Sequence, residues 1–327
     1  MTETGKGEGM AAVSFEDIRK AGLRIHTYIH RTPVLTCKSL DEMSGASLFF
    51  KCENFQRAGA FKYRGACNAV FSLTEAEAER GVTTHSSGNH AGALARAASI
   101  RGIPAFVVMP ENAPSVKVAA VRGYGAEITF CKPTLAAREE TLEAVVARTG
   151  ATFIHPYDNP NVIAGQGTVA LELISEAGDL NVVMAPVGGG GLLSGTAIST
   201  KTLLPQAQVF GAEPEQADDA YCSFKRGVFV PSVNPDTIAD GLLTSLGELT
   251  FPLIRQFVDD ILTVSENGIK AAMELIWERM KIVVEPSSAV PLAAVFEHPE
   301  FFYKKRVGVI LSGGNVDLNR LPWTGVM

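Results

Sequence analysis

The feature that most constrains the fold is a repeated alternation of short apolar segments with longer helical ones. Between residues 82 and 150, runs rich in Val, Ile, Thr and Phe are each followed by a segment with helical spacing, and the alternation resumes at residue 181. Strands that alternate with helices of about ten to fifteen residues predict βαβ units and a parallel sheet. The strand segments are nearly all apolar, as expected where helices cover both faces of a sheet. The sequence therefore predicts an α/β fold.

Local signals place several helix ends. Ser14 and Asp17 form an S-x-x-D capping pair ahead of an apolar helical pattern, which predicts a helix start at Ser14. Helices ending in glycine are predicted at Gly102, Gly123 and Gly150. No low-complexity tract or internal repeat marks a domain boundary.

Composition narrows the class of ligand. The chain has 327 residues, of which 46% are hydrophobic and 20% charged, with a formal net charge of −6. This acidic balance, without any Lys/Arg-rich run, argues against a nucleic-acid partner. We expect a small-molecule ligand instead.

The same sequence argues against membrane insertion and secretion. No run of about 18 apolar residues occurs, and the polar N-terminus has no apolar targeting segment. The five cysteines are an odd number without a CxxC pair, which fits reduced thiols. We expect a cytoplasmic protein without a membrane partner.

Three apolar strands end in glycine-rich or hydroxyl-rich segments: "APVGGGGLLSG" at 185–195, "THSSGNHAG" at 84–92 and "VILSGGNVD" at 309–317. In an open α/β sheet, ligands bind where strands end and helices begin, because free backbone N–H groups favour an anion there. The first segment lacks the spacing of a dinucleotide or Walker motif, and its four glycines favour phosphate binding over a tight turn. The other two segments, taken alone, also fit a helix cap and a turn.

A lysine follows an aromatic residue in "GAFKYRGACNAV" at 59–70. In apolar surroundings the pKa of Lys62 falls, and the neutral amine becomes a nucleophile toward carbonyl groups, as in Schiff-base chemistry. The alternative is an ordinary lysine at a helix start that extends to water. The three strand ends described above, which are candidates for binding a phosphorylated ligand, favour the role of Lys62 as a nucleophile.

Four motifs in this order, "AFKYRGA", "SSGNH", "GGGGLLSG" and "SGGNVD", resemble the β-family (fold type II) pyridoxal-phosphate enzymes. Within that family the chain resembles the eukaryotic-type serine racemases, the threonine/serine dehydratases and the hydroxyaspartate ammonia-lyases, from about Ser14 to Asp317. The resemblance implies a tryptophan synthase β-like fold with two open, twisted, mostly parallel sheets flanked by helices. It also implies a large cofactor-binding domain at 1–78 and 158–327, and a small mobile domain at 79–157.

The resemblance further implies the roles of individual residues. Lys62 would bond covalently to pyridoxal 5′-phosphate, and Ser312 would face the pyridine nitrogen; a neutral hydroxyl there favours elimination. The other implied cofactor-binding residues are Phe61, Asn89, Gly188, Gly189, Gly190, Gly191 and Leu192. The implied substrate-binding residues are Ser86, Ser87, Asn89, His90 and Arg138.

Ser87 distinguishes the candidate reactions. Lys62 would remove the α-proton of a small hydroxy amino acid from one face, and a hydroxyl at Ser87 could act on the opposite face, as racemisation requires. In similar dehydratases that use only one face, alanine stands at the position of Ser87. Ser87 as a simple helix cap is the alternative. Arg138 and Glu139 could read a second substrate carboxylate, or could be solvated charges on a helix from Thr134.

An acidic loop in "AEPEQADD" is a candidate metal site. Glu213, Asp219 and the carbonyl of Ala217 are hard oxygen ligands that suit Mg²⁺, Ca²⁺ or Mn²⁺ rather than zinc. An acidic loop is otherwise usually solvated, and the resemblance is what favours a metal here. The resemblance also implies a homodimer.

We therefore expect a serine racemase with pyruvate-forming serine/threonine dehydratase activity. Two alternatives stay open. One is a dedicated ammonia-lyase acting on L-threonine, L-serine or threo-3-hydroxyaspartate. The other is a non-catalytic protein that binds a phosphorylated ligand and in which Lys62 is only structural.

Overall fold

A computed structural model describes residues 13–86, 88–113, 115–318 and 321–323. Ser87 lies outside the described residues. The strands are β1 (Val34–Leu35), β2 (Ser47–Cys52), β3 (Val82–His85), β4 (Ala105–Pro110), β5 (Glu127–Cys131), β6 (Thr152–Phe153), β7 (Val182–Pro186), β8 (Gln208–Pro214), β9 (Asp260–Val264) and β10 (Arg306–Leu311). The helices are α1 (Phe15–Ile25), α2 (Lys38–Ser44), α3 (Lys62–Phe71), α4 (Glu75–Arg80), α5 (Asn89–Arg101), α6 (Ser115–Gly123), α7 (Leu135–Thr149), α8 (Pro160–Ala177), α9 (Gly191–Leu203), α10 (Asp219–Arg226), α11 (Thr250–Phe257), α12 (Glu266–Leu275) and α13 (Pro286–Glu297).

In the described chain, six strands form one sheet in the order β1-β2-β10-β7-β8-β9. β1 pairs antiparallel with β2, and the other neighbours are parallel. Along β7, Val182 and Met184 face a core that includes α12 and α13, whereas Val183 and Ala185 face a core that includes α8 and α9. Successive residues of a strand point to opposite faces, so a strand covered on both sides must be apolar throughout.

The other four strands of the described chain form a wholly parallel sheet in the order β5-β4-β3-β6. Val107 and Met109 of β4 face a core shared with α3 and α5, and Val108 faces a core shared with α7. The predicted α/β fold with mostly parallel sheets is confirmed. The domain division at residues 79 and 157 stays a prediction.

The local helix signals are confirmed. The Ser14 side chain and the Asp17 backbone form a capping box with the Asp17 carboxylate at the start of α1. Gly102 and Gly150 end α5 and α7 with φ of 75° and 68°, in the left-handed region that glycine tolerates. α6 ends at Gly123 as predicted. Among the described residues, no helix is long and apolar enough to cross a membrane.

A buried ionic network joins the start of α3 to α8 and to the end of β2 in the six-stranded sheet. Arg64 is fully buried, and its guanidinium donates to both carboxylate oxygens of Glu53 at 2.7 and 2.8 Å. It also donates to both oxygens of Glu172 on α8, at 2.8 and 2.7 Å. The ammonium of Lys51, also fully buried, lies 2.8 Å from Glu172. Such planar, bidentate pairing is specific to arginine.

Replacing Arg64 with methionine is expected to lower the free energy of unfolding by about 3–5 kcal/mol, because the buried Glu53 carboxylate loses its cationic partner and Glu172 keeps only Lys51. Urea denaturation measures this loss. Arg19→Met is the matched control, since the Arg19–Glu16 ion pair is half exposed and should contribute less than about 1 kcal/mol. Equal midpoints for the two variants would show that the network does not stabilise the fold.

Candidate active site

One cleft of about 680 Å³ brings together the three strand ends identified in the sequence. Ser86 follows β3, the Gly188–Gly191 loop follows β7, and Ser312 follows β10; all line this cleft with Lys62. The carboxyl ends of parallel strands meet at one sheet edge, which is where α/β proteins bind ligands. Because β3 belongs to the four-stranded sheet and β7 and β10 to the other, the cleft lies between the two sheets.

Lys62 is the first residue of α3, and its side chain is half-buried in the cleft. Its ammonium nitrogen donates to the Pro156 carbonyl at 2.8 Å. Burial lowers the pKa of Lys62 to about 8, although the Glu285 carboxylate acts in the opposite direction. A large fraction of the amine is therefore neutral and nucleophilic near pH 8.

The lowered pKa of Lys62 predicts an unusual pH profile for amine labelling of the cofactor-free protein. Only the neutral amine reacts, so labelling of Lys62 should be half-maximal near pH 8 and level off about one pH unit higher. An ordinary lysine, with a pKa of about 10.4, should continue to gain reactivity above pH 9. Competitive acetylation read by peptide mass spectrometry gives both profiles, with the exposed Lys38 as the internal standard. A Lys62 profile like that of Lys38 would contradict the lowered pKa.

The Gly188–Gly191 loop is shaped to cradle an anion. Gly190 has a φ of 85°, which favours glycine. A Cβ on Gly189 would lie 2.3 Å from the ring of Tyr157, and one on Gly188 would lie 2.9 Å from the Leu242 backbone. Within the described chain, the backbone N–H groups of this loop have no hydrogen-bond acceptor. Free amides at the start of α9 suit a phosphate group.

Asn89 is held by two partners that sequence reasoning missed. Its Nδ2 donates to the Glu285 oxygens at 2.8 and 3.1 Å, and its Oδ1 accepts from Asn315 Nδ2 at 3.0 Å. Burial raises the pKa of Glu285 to about 7. These contacts determine which way the Asn89 amide faces. The sequence signal at Glu285 was an acidic residue before Pro286 at a helix start, which resembles an ordinary cap.

Ser312 is also fixed by a residue that was not predicted. Ser312 is buried, and its hydroxyl lies 3.1 Å from that of Ser288 on α13. The Phe61 backbone N–H donates to the Ser312 carbonyl at 2.9 Å. The aromatic ring of Phe61 lines the cleft beside Lys62, with the Lys62 nitrogen 5.2 Å from the ring centroid.

Most of the predicted substrate and cofactor residues line the same cleft: Phe61, Lys62, Ser86, Asn89, His90, Arg138, Gly188, Gly189, Gly190, Gly191, Leu192 and Ser312. Burial holds the pKa of His90 well below its usual value, so this imidazole is neutral, with Nε2 at 3.2 Å from the Ile154 carbonyl. Arg138 is half-buried at the same cleft as His85. Ser86 and Gly88 also line the cleft, on either side in sequence of the undescribed Ser87.

The acidic loop forms a second buried feature. Glu213 accepts the backbone N–H groups of Ala220 and Tyr221 at 3.1 and 2.8 Å. Neither carboxylate oxygen of the buried Asp219 has a partner with hydrogen-bond geometry among the described residues, although the Ser232 hydroxyl lies close enough to lower the pKa of this carboxyl. Burial raises the pKa of Asp219 to about 7 and the pKa of Glu213 well above its usual value. In the described chain, no group of three or more His, Cys, Asp or Glu side chains could hold a metal, so a cation here would also need carbonyl or water oxygens.

Comparisons with known proteins place this geometry in context. Residues 25–313 match the family model described as "Pyridoxal-phosphate dependent enzyme". A β-hydroxyaspartate dehydratase from Paracoccus denitrificans (strain Pd 1222) is 55% identical over 310 residues, which cover 95% of this chain and 98% of that protein.

Two solved structures are similar along nearly their whole length. The serine racemase of Dictyostelium discoideum superposes with a TM-score of 0.91 at 52% identity, over 94% of this chain and 100% of that one. A threonine deaminase from T.th. superposes with a TM-score of 0.89 at 47% identity, over 93% and 99% of the two chains.

Proposed function

The chain belongs to the pyridoxal-phosphate-dependent enzyme family, and we propose that it is a serine racemase that also eliminates water from serine to give an enamine, whose hydrolysis yields pyruvate and ammonia. It is a pyridoxal-phosphate-dependent amino-acid racemase or ammonia-lyase. The observation that carries the assignment is the Lys62 amine in one cleft with the free amides of Gly188–Gly191. The non-catalytic alternative is set aside, because the similar proteins are named as a dehydratase and a racemase.

The residues present fit the cofactor. The free N–H groups of Gly188–Gly191 suit its phosphate, and Lys62 offers the amine that its aldehyde requires. Phe61, Asn89, Leu192 and Ser312 would hold the ring. When bound, the cofactor withdraws electrons from the substrate α-carbon and so acidifies its proton.

Proton transfer at the α-carbon would fall to this chain's own side chains. Lys62, with its lowered pKa and its contact to the Pro156 carbonyl, is suited to remove the proton on one face. The segment from Ser86 to His90 would bind the substrate carboxylate and present Ser87 to the other face. Its support is that Ser86, Gly88, Asn89 and His90 all line the cleft.

A second candidate substrate is 3-hydroxyaspartate, and a third is L-threonine. The support is a β-hydroxyaspartate dehydratase at 55% identity and a threonine deaminase at 47% identity. Arg138 lines the cleft and would pair with a second carboxylate. If either of these is the substrate instead of serine, the chain would be a dedicated ammonia-lyase.

Product analysis separates these reactions. The purified protein is incubated with pyridoxal phosphate, Mg²⁺ and L-serine, and D-serine is followed by chiral chromatography while pyruvate is followed by a coupled assay. D-serine together with pyruvate is expected. Pyruvate alone would contradict the racemase assignment and make L-threonine and 3-hydroxyaspartate the next substrates.

The proposal extends to a domain motion, an oligomeric state and a cellular location. The residues 79–157 would form a small domain that closes over the cleft and excludes water. Two copies would form a homodimer, and the protein would act in the cytoplasm. The support for all three is the family resemblance.

Glu213, Asp219 and the Ala217 carbonyl would bind Mg²⁺, or Ca²⁺ or Mn²⁺. The support is the pair of buried Asp219 oxygens that have no partner with hydrogen-bond geometry in the described chain, next to a second buried carboxylate. Two buried carboxylates without a cation are costly, and a divalent ion with oxygen ligands removes that cost.

Millimolar Mg²⁺ is expected to raise the melting temperature of the protein by several degrees, because an ion that binds only the folded state stabilises it. Asp219→Asn should abolish this shift, while the exposed Asp179→Asn should keep it. Since the pKa of Asp219 is raised to about 7, protons compete with the cation and the shift should shrink from pH 8 to pH 6. A full shift in Asp219→Asn would locate the cation elsewhere.

A further inference from the structure

The connection between β6 and α8 contacts both ends of the proposed cofactor site. It consists of His155, Pro156, Tyr157 and Asp158, here called the 155–158 strap. The strap leaves the four-stranded sheet and enters α8, which packs on the six-stranded sheet. None of its residues was singled out from the sequence.

One contact of the strap is with the reactive lysine. The Pro156 carbonyl accepts from Lys62 Nζ at 2.8 Å. The centroid of the Tyr157 ring lies 5.9 Å from that nitrogen. The strap therefore limits where the Lys62 amine can lie.

A second contact is with the glycine loop, on the backbone that would hold the phosphate. Gly189 lies so close to the Tyr157 ring that a Cβ would be 2.3 Å from two ring carbons. A Cβ on Gly191 would be 3.0 Å from the Tyr157 carbonyl oxygen and 3.1 Å from its Cβ. The Gly188–Gly191 loop thus packs directly against Tyr157.

The strap is itself anchored to the element behind the glycine loop. The carboxylate of Asp158 accepts the backbone N–H groups of Glu248, Leu249 and Thr250 at 3.0, 2.9 and 3.3 Å. The Thr250 hydroxyl donates to the Gly189 carbonyl at 2.8 Å. The strap therefore contacts the glycine loop in two ways: directly through Tyr157, and indirectly through Asp158 and the start of α11.

Within the strap, His155 supplies a neutral acceptor. Its Nδ1 accepts the backbone N–H of Asp158 at 2.9 Å, and its ring meets that of Tyr157 edge-on at 4.5 Å between centroids. Burial lowers the pKa of His155 to about 4, so Nδ1 stays free of a proton at neutral pH and the turn keeps its shape.

We propose that the 155–158 strap sets the spacing between the Lys62 amine and the phosphate cradle, with Tyr157 and Asp158 as positioning residues. Tyr157 acts through its ring, which supports Gly189 and Gly191, and Asp158 acts by anchoring the strap to α11. A preformed cradle binds its ligand more tightly because less ordering remains to be done on binding. The inference rests on the assignment of Gly188–Gly191 as the phosphate site.

The test compares the affinity of the cofactor-stripped, full-length protein for pyridoxal phosphate and for pyridoxal, which lacks the phosphate. Binding of each compound is followed by absorbance. The ratio of the two dissociation constants measures how much the Gly188–Gly191 loop contributes to binding the phosphate. Tyr157→Ala is expected to lower the preference for the phosphorylated form by at least about tenfold, and Tyr157→Phe, which keeps the ring, by less than about twofold. Tyr303→Ala, at a tyrosine that is 60% exposed, is the control and should keep the preference.

Asp158→Asn provides a second, isosteric variant, for the case in which Tyr157→Ala does not fold. It loses an acceptor for the N–H groups of α11 and should also lower the preference, by about three- to tenfold. A residue that only stabilised the fold would lower the melting temperature without changing the ratio. An unchanged ratio in the folded variants would overturn the proposal. A parent protein without any preference for the phosphorylated form would instead remove the phosphate site on which the proposal rests.

Discussion

Lys62→Ala is expected to lower kcat for both D-serine and pyruvate formation by at least about 10⁴-fold, because one side chain carries two roles. In the proposed mechanism, its amine would be both the nucleophile toward the cofactor aldehyde and the base for the α-proton. The lowered pKa of about 8 and the half-buried position in the cleft equip it for both. The folded structure should survive the change, since a buried amine is costly to desolvate.

Steady-state assays of both products measure this effect, and the melting temperature reports folding. Lys20→Ala is the control, because Lys20 lies on α1 with its side chain 59% exposed, and it should retain parental rates. If Lys62→Ala kept kcat within about tenfold of the parent, the catalytic roles of Lys62 would be wrong.

Ser87→Ala is expected to reduce D-serine formation by at least about 100-fold while pyruvate formation stays within about threefold. Racemisation needs a proton-transfer group on each face of the α-carbon, whereas elimination needs only the one that removes the proton. Since Lys62 would act on the first face in the proposed mechanism, the variant should still exchange the α-proton of L-serine in D₂O. Loss of the second face alone should therefore block inversion without blocking exchange.

The measurement combines chiral chromatography, the pyruvate assay and mass analysis of recovered L-serine. Ser99→Ala serves as the matched control, because Ser99 is an exposed residue of α5. Racemisation that survives in Ser87→Ala with unchanged elimination would show that the two-face mechanism is wrong. Loss of all three signals would point instead to a role in binding the substrate.

Short-range features of the fold could be predicted because their causes lie within a few residues. The capping box joins Ser14 to Asp17, three positions apart, and the glycine C-caps depend on a single backbone conformation. The strands buried on both faces could be recognised from their continuous apolar runs. The glycine-rich turn at Gly188–Gly191 could also be recognised from its own composition, whereas its phosphate-binding role stays a prediction.

The partners of the site residues could not be predicted in this way. Glu285 lies 196 positions from Asn89, and Pro156 lies 94 positions from Lys62. Read locally, Glu285 is an acidic residue before a helix, and Tyr157 is one more half-buried aromatic side chain. Nothing in their sequence neighbourhoods indicates that they support the amide of Asn89 and the backbone of Gly189.

The sequence by itself determined the α/β class, the ends of individual helices and the chemical types of the groups at three strand ends, because these depend on residue type and short spacing. Only the tertiary structure decided that those strand ends from two sheets face one cleft, and that Tyr157, Glu285 and Ser288 support them. The physical reason is that such contacts arise from the packing of the two sheets against shared helices. That packing depends on the apolar surfaces of the whole chain at once.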